Sequence, residues 1–246
     1  MVREFNRDAN AHVRRLWRHR GTTLPTPRRG PRQQLDLDGI LQTGIAIADA
    51  EGLAAVSIRA IAATLDKSAM ALYPYVGTKE TLLALMQDHA SVMPIWEDPA
   101  TSLADALRAW AMALFEVYLT HPWLTERAWS QATQGPNEQD WLERLLRILH
   151  EWGVSPGARP SVVTMLYATV RATAGTAAVY QRMDQRGIAE WLTHAEETRR
   201  QIPDLGQRYP LSTGLEPHSP RWQDSPRAGL TGTVELLAKA LDLTTG

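Results

Sequence analysis

Three closely spaced helical segments between residues 35 and 83 constrain the fold of this chain more than any other feature. The first begins at Asp36, which suits an N-cap, and ends at Gly52, which suits the left-handed position after a helix. The second begins at Ser57 and carries apolar residues at the i, i+3, i+4, i+7 spacing of an amphipathic helix. That apolar stripe consists of Ile58, Ile61, Ala62 and Leu65.

The third segment, "SAMALYPYV" (68–76), is very short and consists mainly of small and aromatic residues. Ser68 suits its N-cap, Pro74 and Gly77 predict its end, and Thr78 suits the start of the next helix. A helix followed by a tight turn and a second helix is typical of the helix-turn-helix, whose second helix enters the DNA major groove. Small side chains allow the backbone of such a helix to approach the bases closely.

The side chains that face outward from this third segment are candidates for DNA contact. Leu72 would anchor the segment to the core, whereas Met70 or Ala71 suits contact with a thymine methyl group. Arg59 on the preceding helix and Lys79 suit phosphate oxygens, as do tyrosine hydroxyls. The outward candidates are Ser68, Ala69, Met70, Ala71, Tyr73 and Tyr75.

Residues 35–90 resemble the N-terminal domain of TetR-type transcriptional regulators. The pattern of that family is a glycine after the first helix, then Ser/Thr-x-Arg-x-x-Ala, then Leu-Gly-Val-Ser-x-x-x-Leu-Tyr-x-His/Tyr-Phe/Val-x-x-Lys-x-x-Leu. This chain departs from it at Asp66, where the family has a turn glycine, and at Lys67, where it has an apolar residue. Because Asp tolerates left-handed geometry, we expect the turn to form. The matching residues are Gly52, Ser57, Ile58, Arg59, Ile61, Ala62, Leu65, Ser68, Leu72, Tyr73, Tyr75, Val76, Lys79, Leu82 and Leu83.

The resemblance implies a DNA-binding domain followed by an all-helical domain that binds an effector and dimerises. It also implies DNA contact by residues of the helix-turn-helix, with Lys67 exposed near the DNA. The two tyrosines could instead pack in the core, Arg59 could be solvated, and Lys79 could merely cap a helix. The predicted DNA-binding residues are Ser57, Arg59, Lys67, Ser68, Ala69, Met70, Ala71, Tyr73, Tyr75, Thr78 and Lys79.

Helical periodicity continues through the rest of the chain, and no run alternates like a β-strand. The predicted helices are 102–120, 137–152, 158–183, 185–200 and 229–243, and the longest break is 202–229. We therefore predict an all-α fold with an N-terminal three-helix helix-turn-helix domain and a larger helical domain. The predicted parts are a basic arm (1–34), the DNA-binding domain (35–90, with the motif at about 57–76) and the effector-binding and dimerisation domain (91–246).

Charge is divided unevenly along the chain. Residues 1–34 contain nine arginines and two acids, a charge of +7, so the other 212 residues carry −8 of the overall −1. A basic arm on an acidic body favours a polyanionic partner, and "PRRGPR" (27–32) suits a DNA minor groove. The arm could instead stay solvated, or fold back on the body through the apolar face of a short helix at 11–20. That face consists of Val13, Leu16 and Trp17.

Length and composition are those of an ordinary globular protein. The 246 residues are 44% hydrophobic and include no cysteine, which excludes disulfides and fits a reducing cytoplasm. The N-terminus has no apolar stretch of signal-peptide type. The longest apolar run, ten residues at 110–119, is too short to cross a membrane. We therefore expect a cytoplasmic protein with no membrane partner.

Two helices of the second domain carry stripes that favour a homodimer. In 158–183, small or apolar residues recur at spacings of three and four, and small residues allow helices to approach closely. A similar spacing occurs in 229–243. We expect both helices to form a four-helix interface across a two-fold axis, unless the stripes pack inside one subunit. The stripes are Met165, Ala168, Ala172, Gly175, Val179 and Arg182, and Leu230, Val234, Leu237 and Leu241.

Tryptophan is concentrated in the second domain, which contains eight of the nine in the chain. Trp supplies a flat apolar wall with one donor, which suits a pocket for an aromatic or polycyclic compound, although any single Trp could simply fill the core. The candidate ligand-binding residues lie on helices that the resemblance places around a cavity. They are Trp110, Phe115, Tyr118, Trp141, Met165 and Tyr180.

Several classes of function lack a signal in the sequence. The seven histidines have no metal-ligand spacing, and no phosphate loop, dinucleotide glycine pattern or nucleophile elbow is present. We therefore predict no metal, no cofactor and no enzymatic activity. The leading hypothesis is a dimeric repressor that a small, largely apolar or aromatic effector releases from a near-palindromic DNA operator. The alternatives are a regulator without an effector, which a fully packed second domain would favour, and an all-helical enzyme, which would need convergent titratable groups.

Overall fold

A computed structural model of the protein describes residues 2–21, 35–95, 100–127, 132–216, 218–219 and 221–245. These residues form α-helices and short 3₁₀ segments, with no β-strand among them, so the predicted all-α fold is confirmed. The α-helices are α1 (Val2–Leu16), α2 (Leu37–Glu51), α3 (Ile58–Thr64), α4 (Ala69–Val76), α5 (Lys79–Ala90), α6 (Leu103–Thr120), α7 (Pro136–Glu151), α8 (Arg159–Arg182), α9 (Gln185–Gln201), α10 (Leu205–Arg208), α11 (Pro210–Thr213) and α12 (Ser225–Thr245).

Helices α2 to α5 form an N-terminal bundle, and the predicted caps define three of its helix starts. Asp36, Ser57 and Thr78 each accept a hydrogen bond from the backbone N–H three residues further on. Gly52 follows α2 with φ 86°, a backbone conformation that glycine adopts without strain. The fully buried side chains at the centre of the bundle are Ile40, Leu41, Ile61, Leu72, Val76, Leu82 and Met86.

The turn between α3 and α4 contains the left-handed residue that the sequence predicts. Asp66 has φ 53°, which confirms that Asp is accommodated at this position. Its N–H donates to Ala63 O (3.1 Å), and the N–H of Lys67 donates to Ala62 O (2.9 Å). These two bonds form a Schellman motif, which satisfies carbonyls at the end of α3 and fixes the direction in which the chain leaves it.

Helix α4 covers the two turns that the sequence predicts, but Pro74 lies inside it. Pro74 does not end it, because the helix continues to Val76 and stops at Gly77, whose φ is 69°. An interior proline costs about 3 kcal/mol, but full burial of Leu72 and Val76 contributes about 1.5–3 kcal/mol each. Ser68 occupies the N-cap position with an extended backbone, and its side chain makes no capping hydrogen bond.

The second domain is built around α6, α7, α8 and α12. Helix α8 packs against α6 and α12, and α12 also packs against α6. Trp110, Leu145, Val170 and Val234 are fully buried among these helices. Helix α7 also contacts α5, so the N-terminal bundle and the second domain meet where these two helices pack together.

The predicted break at 202–229 contains regular structure. It includes the one-turn helices α10 and α11, a 3₁₀ segment at Trp222–Asp224 and the start of α12. A single turn is too short to produce a visible apolar period, which is why the sequence pattern misses these helices. Helix α9, which precedes them, has no buried residue.

Part of the basic N-terminal arm packs on the body. Leu16 is 3% exposed and Trp17 packs against the core, whereas Val13 is 50% exposed. The fold-back alternative therefore describes this segment, through two of the three residues named for it. Residues 22–34 of the predicted arm, which include the "PRRGPR" stretch, lie outside the described residues.

After the end of α1, ion pairs also hold the arm against the body. Arg18 Nε donates to Asp38 Oδ1 (3.0 Å) on α2. Arg20 Nη2 donates to Asp140 Oδ2 (2.6 Å) on α7. The same short segment thus contacts both the N-terminal bundle and the second domain.

Candidate DNA interface and internal cavity

The solvent-facing side of α4 consists of Met70, Tyr73 and Pro74, and Ser68 is exposed at the N-cap. Met70 is 75% exposed and Tyr73 is 46% exposed, although residues of these types are usually well buried. On the opposite side of the helix, Leu72 and Val76 are fully buried. The bundle therefore holds the backbone of α4 while its outer side chains face solvent, which is the arrangement of a recognition helix.

Exposed polar and basic residues occur on two of the helices that pack against α4, namely α3 and α5. Arg59 on α3 is exposed, as are Thr78 and Lys79 at the start of α5. Lys67 in the turn is half-buried. Side chains of these types bind phosphate oxygens, which position a protein on DNA without reading its sequence.

Other predicted contact residues take part in packing or capping. Ala69, Ala71 and Tyr75 are half-buried and pack against the hydrophobic core. Ser57 Oγ accepts a hydrogen bond from Ala60 N (3.0 Å). The packing alternative therefore applies to Tyr75.

One cation beside α4 comes from α1, a distant part of the chain. Arg15 on α1 donates from Nη2 to Pro74 O (3.1 Å). This places a guanidinium at the C-terminal end of α4, where the helix dipole favours positive charge. Sequence spacing gives no signal for this contact, because the two residues are 59 positions apart.

A cavity of about 110 Å³ lies between α5, α6, α7 and α8. Its aromatic wall consists of Tyr118, Trp141 and Tyr167. The polar lining residues are Gln87, Ser91, Gln134, Glu138, Gln139 and Arg171. The volume is below the roughly 300–1,000 Å³ typical of pockets for drug-sized ligands. A polycyclic ligand would therefore need the surrounding helices to move apart.

Two of the six predicted ligand-binding residues, Tyr118 and Trp141, line this cavity. Trp110 lies behind the lining, where its Nε1 donates to Trp141 O (3.0 Å) and its ring meets Tyr167 edge-on, with 5.0 Å between ring centroids. Phe115 is also buried, and its ring lies against the guanidinium of Arg227. Trp110 therefore supports the aromatic wall and is not part of it.

The other two predicted ligand-binding residues lie outside the cavity. Met165 on α8 is 50% exposed. Tyr180 packs edge-on against Trp222, with 4.6 Å between ring centroids, and neither lines the cavity. The prediction is wrong for these two residues because the sequence of a mostly apolar helix such as α8 does not reveal which of its faces points inward. The buried face of α8 consists of Val162, Leu166, Val170, Ala174, Ala177 and Ala178.

A polar network joins α5 to α7 at one side of the cavity. The carboxylate of Glu138 accepts hydrogen bonds from Gln87 Nε2 (2.9 Å), Thr133 N (2.7 Å), Thr133 Oγ1 (2.9 Å) and Gln134 N (2.9 Å). Gln87 Oε1 in turn accepts from Arg127 Nε (2.9 Å). Sequence reasoning missed this network, since isolated polar residues on amphipathic helices normally indicate a solvated face.

Asp88 forms a second connection between the same two helices. It is 3% exposed, and its Oδ1 accepts from the backbone N–H of Asn137 (3.0 Å) and of Glu138 (3.2 Å). Burial raises the pKa of this carboxyl to about 6, although the two backbone hydrogen bonds oppose the shift. A Cβ on Gly135 would overlap the carboxyl group, so this contact requires glycine.

The two predicted dimerisation stripes differ in exposure. On α8, Met165, Ala168, Ala172 and Val179 are exposed. The α12 stripe packs inside its own subunit against α6 and α8, so the predicted role of these four leucine and valine side chains across an interface needs correction. They are Leu230, Val234, Leu237 and Leu241, all at most 9% exposed. Helix α12 instead presents Leu236, which is 69% exposed.

Helix α8 is long and apolar enough to cross a membrane by the criteria of length and composition. It packs against three helices of the second domain, and core helices of globular proteins meet the same criteria. Within the described ranges, no group of three or more His, Asp or Glu side chains is arranged to hold a metal ion.

Comparison with known proteins agrees with this arrangement. Residues 94–220, more than half of the chain, match the family described as "Tetracyclin repressor-like, C-terminal domain". The chain is 36% identical over 199 residues to the HTH-type transcriptional repressor DrrR1 of Streptomyces coeruleorubidus, covering 77% of this chain and 72% of that protein. It is also 25% identical over 207 residues to an HTH-type transcriptional regulator of Saccharopolyspora erythraea, covering 82% and 87%.

Solved structures give the same result for the fold. The TetR family protein ActR of Streptomyces coelicolor, in complex with actinorhodin, superposes with a TM-score of 0.69 at 26% identity, covering 87% of this chain and 99% of that one. Apo ActR superposes with a TM-score of 0.67 at 23% identity, covering 87% and 100%. TetR-family regulators bind DNA operators and act as dimers, and they are generally not enzymes. The chain belongs to the TetR family of transcriptional regulators.

Proposed function

We propose that this regulator is a dimeric repressor which a small, largely apolar aromatic compound releases from a near-palindromic operator. The observation that carries the proposal is the position of α5. This helix starts at the DNA-facing surface with Lys79, and its last turns supply Gln87 and Ser91 to the cavity wall. A ligand that separates α5 from α7 would therefore change the position of α4, which packs against α5.

The relatives support an effector of this kind. ActR has been solved with actinorhodin and with (S)-DNPA, so a protein of this fold holds small molecules. DrrR1 is described as a repressor, which favours repression as the direction of control here. The aromatic wall of Tyr118, Trp141 and Tyr167 suits a flat ring system.

We assign base contact to the exposed part of α4 and phosphate contact to its neighbours. Met70 and Tyr73 would reach base edges or thymine methyl groups, and Arg59 and Lys79 would bind phosphates. The arginines of 27–32 would bind in an adjacent minor groove. Their attraction to the DNA would offset the repulsion between the DNA and the acidic body.

For the dimer, we propose an interface in which α8 contributes its exposed small and apolar residues. Leu236 on α12 would join them, in place of the buried residues of that helix. A two-fold arrangement of this kind presents two recognition helices to successive major grooves, one helical turn apart.

DNA selection followed by titration tests the DNA-binding assignment. The purified protein should select two inverted half-sites from randomised duplexes. Lys79→Ala should weaken binding to selected and unrelated DNA equally and lower the salt slope by about 0.9, because a phosphate contact carries no base information. Met70→Gln, the matched change on α4, should alter the selected sequence instead. A new sequence preference in Lys79→Ala would contradict the assignment.

Filling the cavity tests the effector assignment. Leu142→Trp adds bulk to the cavity wall, and Leu211→Trp, at a position that is 89% exposed, is its control. Both variants should bind the selected operator like the parent. Only Leu142→Trp should resist release by aromatic compounds that displace the parent in fluorescence anisotropy.

A second candidate function is a regulator with no small-molecule effector, and the small volume of the cavity favours it. A cavity of about 110 Å³ is closer to a packed core than to a drug-sized pocket. Under this alternative, operator affinity would not respond to any aromatic compound, and the cavity-filling variant would behave like its control in every assay.

A further inference from the structure

We propose that the effector carries an anionic oxygen group, a carboxylate or an ionised phenol, and that Arg171 and Tyr118 bind this group. The inference rests on the proposed effector function of the cavity and adds the chemical class of the compound. It is based on those polar groups of the cavity wall whose hydrogen-bonding capacity is not used up within the protein.

Arg171 is the one basic side chain among the described residues that line the cavity. It lies on α8, donates from Nη1 to Arg127 O, and is hydrogen-bonded to the Tyr118 side chain. A guanidinium has five N–H donors in a fixed plane, and these two partners use two of them. The remaining donors match the two oxygens of a carboxylate or the single oxygen of a phenolate.

Tyr118 places a hydroxyl beside this guanidinium. Burial raises the pKa of Tyr118 in spite of the nearby positive charge, so its hydroxyl stays protonated at neutral pH. A protonated hydroxyl can donate to an anionic oxygen. Tyr118 and Arg171 therefore form a paired donor group at one side of the cavity.

The acid in the cavity wall does not compete for this group. Glu138 accepts four hydrogen bonds, three on Oε2 and one on Oε1, so groups of the protein already bind both of its oxygens. It also lies in the first turn of α7, where the helix dipole stabilises its charge. Both oxygens of Glu138 are thus bound within the protein, and Arg171 would repel a cationic ligand.

The apolar surroundings strengthen the preference for an anion. Leu114, Trp141 and Tyr167 form an apolar side of the same cavity. Charge-assisted hydrogen bonds are roughly twice as strong as neutral ones, and a low local dielectric increases the difference. An acid should therefore bind more tightly than a neutral compound of the same shape.

Two probes of equal shape test this inference on the full-length protein. 2-Naphthoate carries the acid and 2-naphthamide is its neutral isostere, and calorimetry or tryptophan fluorescence follows their binding. The parent should bind naphthoate at least about tenfold more tightly than naphthamide, since loss of one charged partner is worth about 1.4 kcal/mol or more. Arg171→Gln should remove this preference, and Arg199→Gln, on the exposed surface of α9, should keep it.

A second variant keeps the test valid if Arg171→Gln fails to fold, as checked by circular dichroism. Tyr118→Phe retains the ring and should weaken naphthoate binding while leaving naphthamide binding unchanged. Equal binding of both probes by the parent would overturn the inference but leave an uncharged aromatic effector possible. Binding of neither probe, together with intact operator binding, would overturn both the inference and the proposed effector site.

Discussion

At the scale of single residues, a few positions determine how the DNA-binding domain is built and joined to the rest. Asp66 holds the turn before α4 at a positive φ, and Asp88 places a buried carboxyl between α5 and α7. Both are acids in positions that suit other residue types better, glycine in the first case and an uncharged side chain in the second. We therefore expect substitutions at Asp66 and at Asp88 to change the free energy of unfolding measurably.

Substitutions at Asp66 test the geometry of the turn. Asp66→Val should lower the free energy of unfolding by about 1–2 kcal/mol, because a β-branched residue is strained in the left-handed region. Asp66→Gly should leave it unchanged or raise it by less than about 1 kcal/mol. Urea unfolding measures both, and equal stability of the two variants would show that this backbone conformation is wrong.

The pH dependence of stability tests the environment of Asp88. Its pKa is about 6 in the folded protein, against 3.8 for an aspartate in water, so the folded state favours the protonated form. The resulting stability is present below about pH 4 and is lost as the pH rises through 6. Glu138 adds to the shift and Arg18 opposes it.

Asp88→Asn provides the comparison for that prediction. Asparagine keeps an acceptor oxygen for the backbone of α7 and does not titrate. The free energy of unfolding of the parent, relative to the variant, should fall by on the order of 3 kcal/mol between pH 4 and pH 7. A difference that stays constant with pH would mean that Asp88 has an ordinary pKa.

At the scale of elements, the main feature is that residues 15–20, which include the end of α1, pack on the body of the protein. The apolar side chains of this segment lie on the body, and its arginines contact α2, α4 and α7. The basic charge of residues 14–20 is thereby partly neutralised by acids of the same chain. These contacts are made by residues 15–20, and the arginines of 27–32 remain candidates for DNA contact.

Alanine substitutions at two neighbouring positions test this docking. Leu16→Ala should destabilise the protein by about 2–4 kcal/mol, because it empties a site that is 3% exposed. Val13→Ala, at a position that is 50% exposed, should cost less than about 1 kcal/mol. Thermal unfolding compares the two, and the same small loss for both would indicate that the segment does not pack on the body.

At the scale of the whole molecule, function depends on how two subunits present their recognition helices. The exposed face of α8 and Leu236 of α12 form the apolar surface that we assign to the interface. Exposed apolar residues that lie together in one patch are typical of protein–protein contact surfaces. The dimer is therefore the level at which the two half-sites of an operator are read together.

Charged substitutions on that surface should separate the subunits. Val179→Asp combined with Leu236→Asp should yield a folded monomer whose operator affinity falls at least tenfold, because each half-site alone provides only part of the contacts. Leu211→Asp with Leu215→Asp, also at highly exposed positions, is the control and should stay dimeric. Sedimentation velocity distinguishes the two, and a dimer in the first variant would exclude this interface.

The order of the longer helices from α2 onward follows from the sequence alone, because caps and apolar spacing are local properties. Asp36, Ser57 and Thr78 mark helix starts, and Asp66 is recognisable as a turn residue, from side chains within a few positions of each other. The cavity depends instead on which face of each helix points inward, and this is a property of packing between distant segments. That packing brings Gln87, Glu138 and Arg171 to the lining of one cavity, leaves Met165 and Tyr180 outside it, and buries the α12 stripe within one subunit.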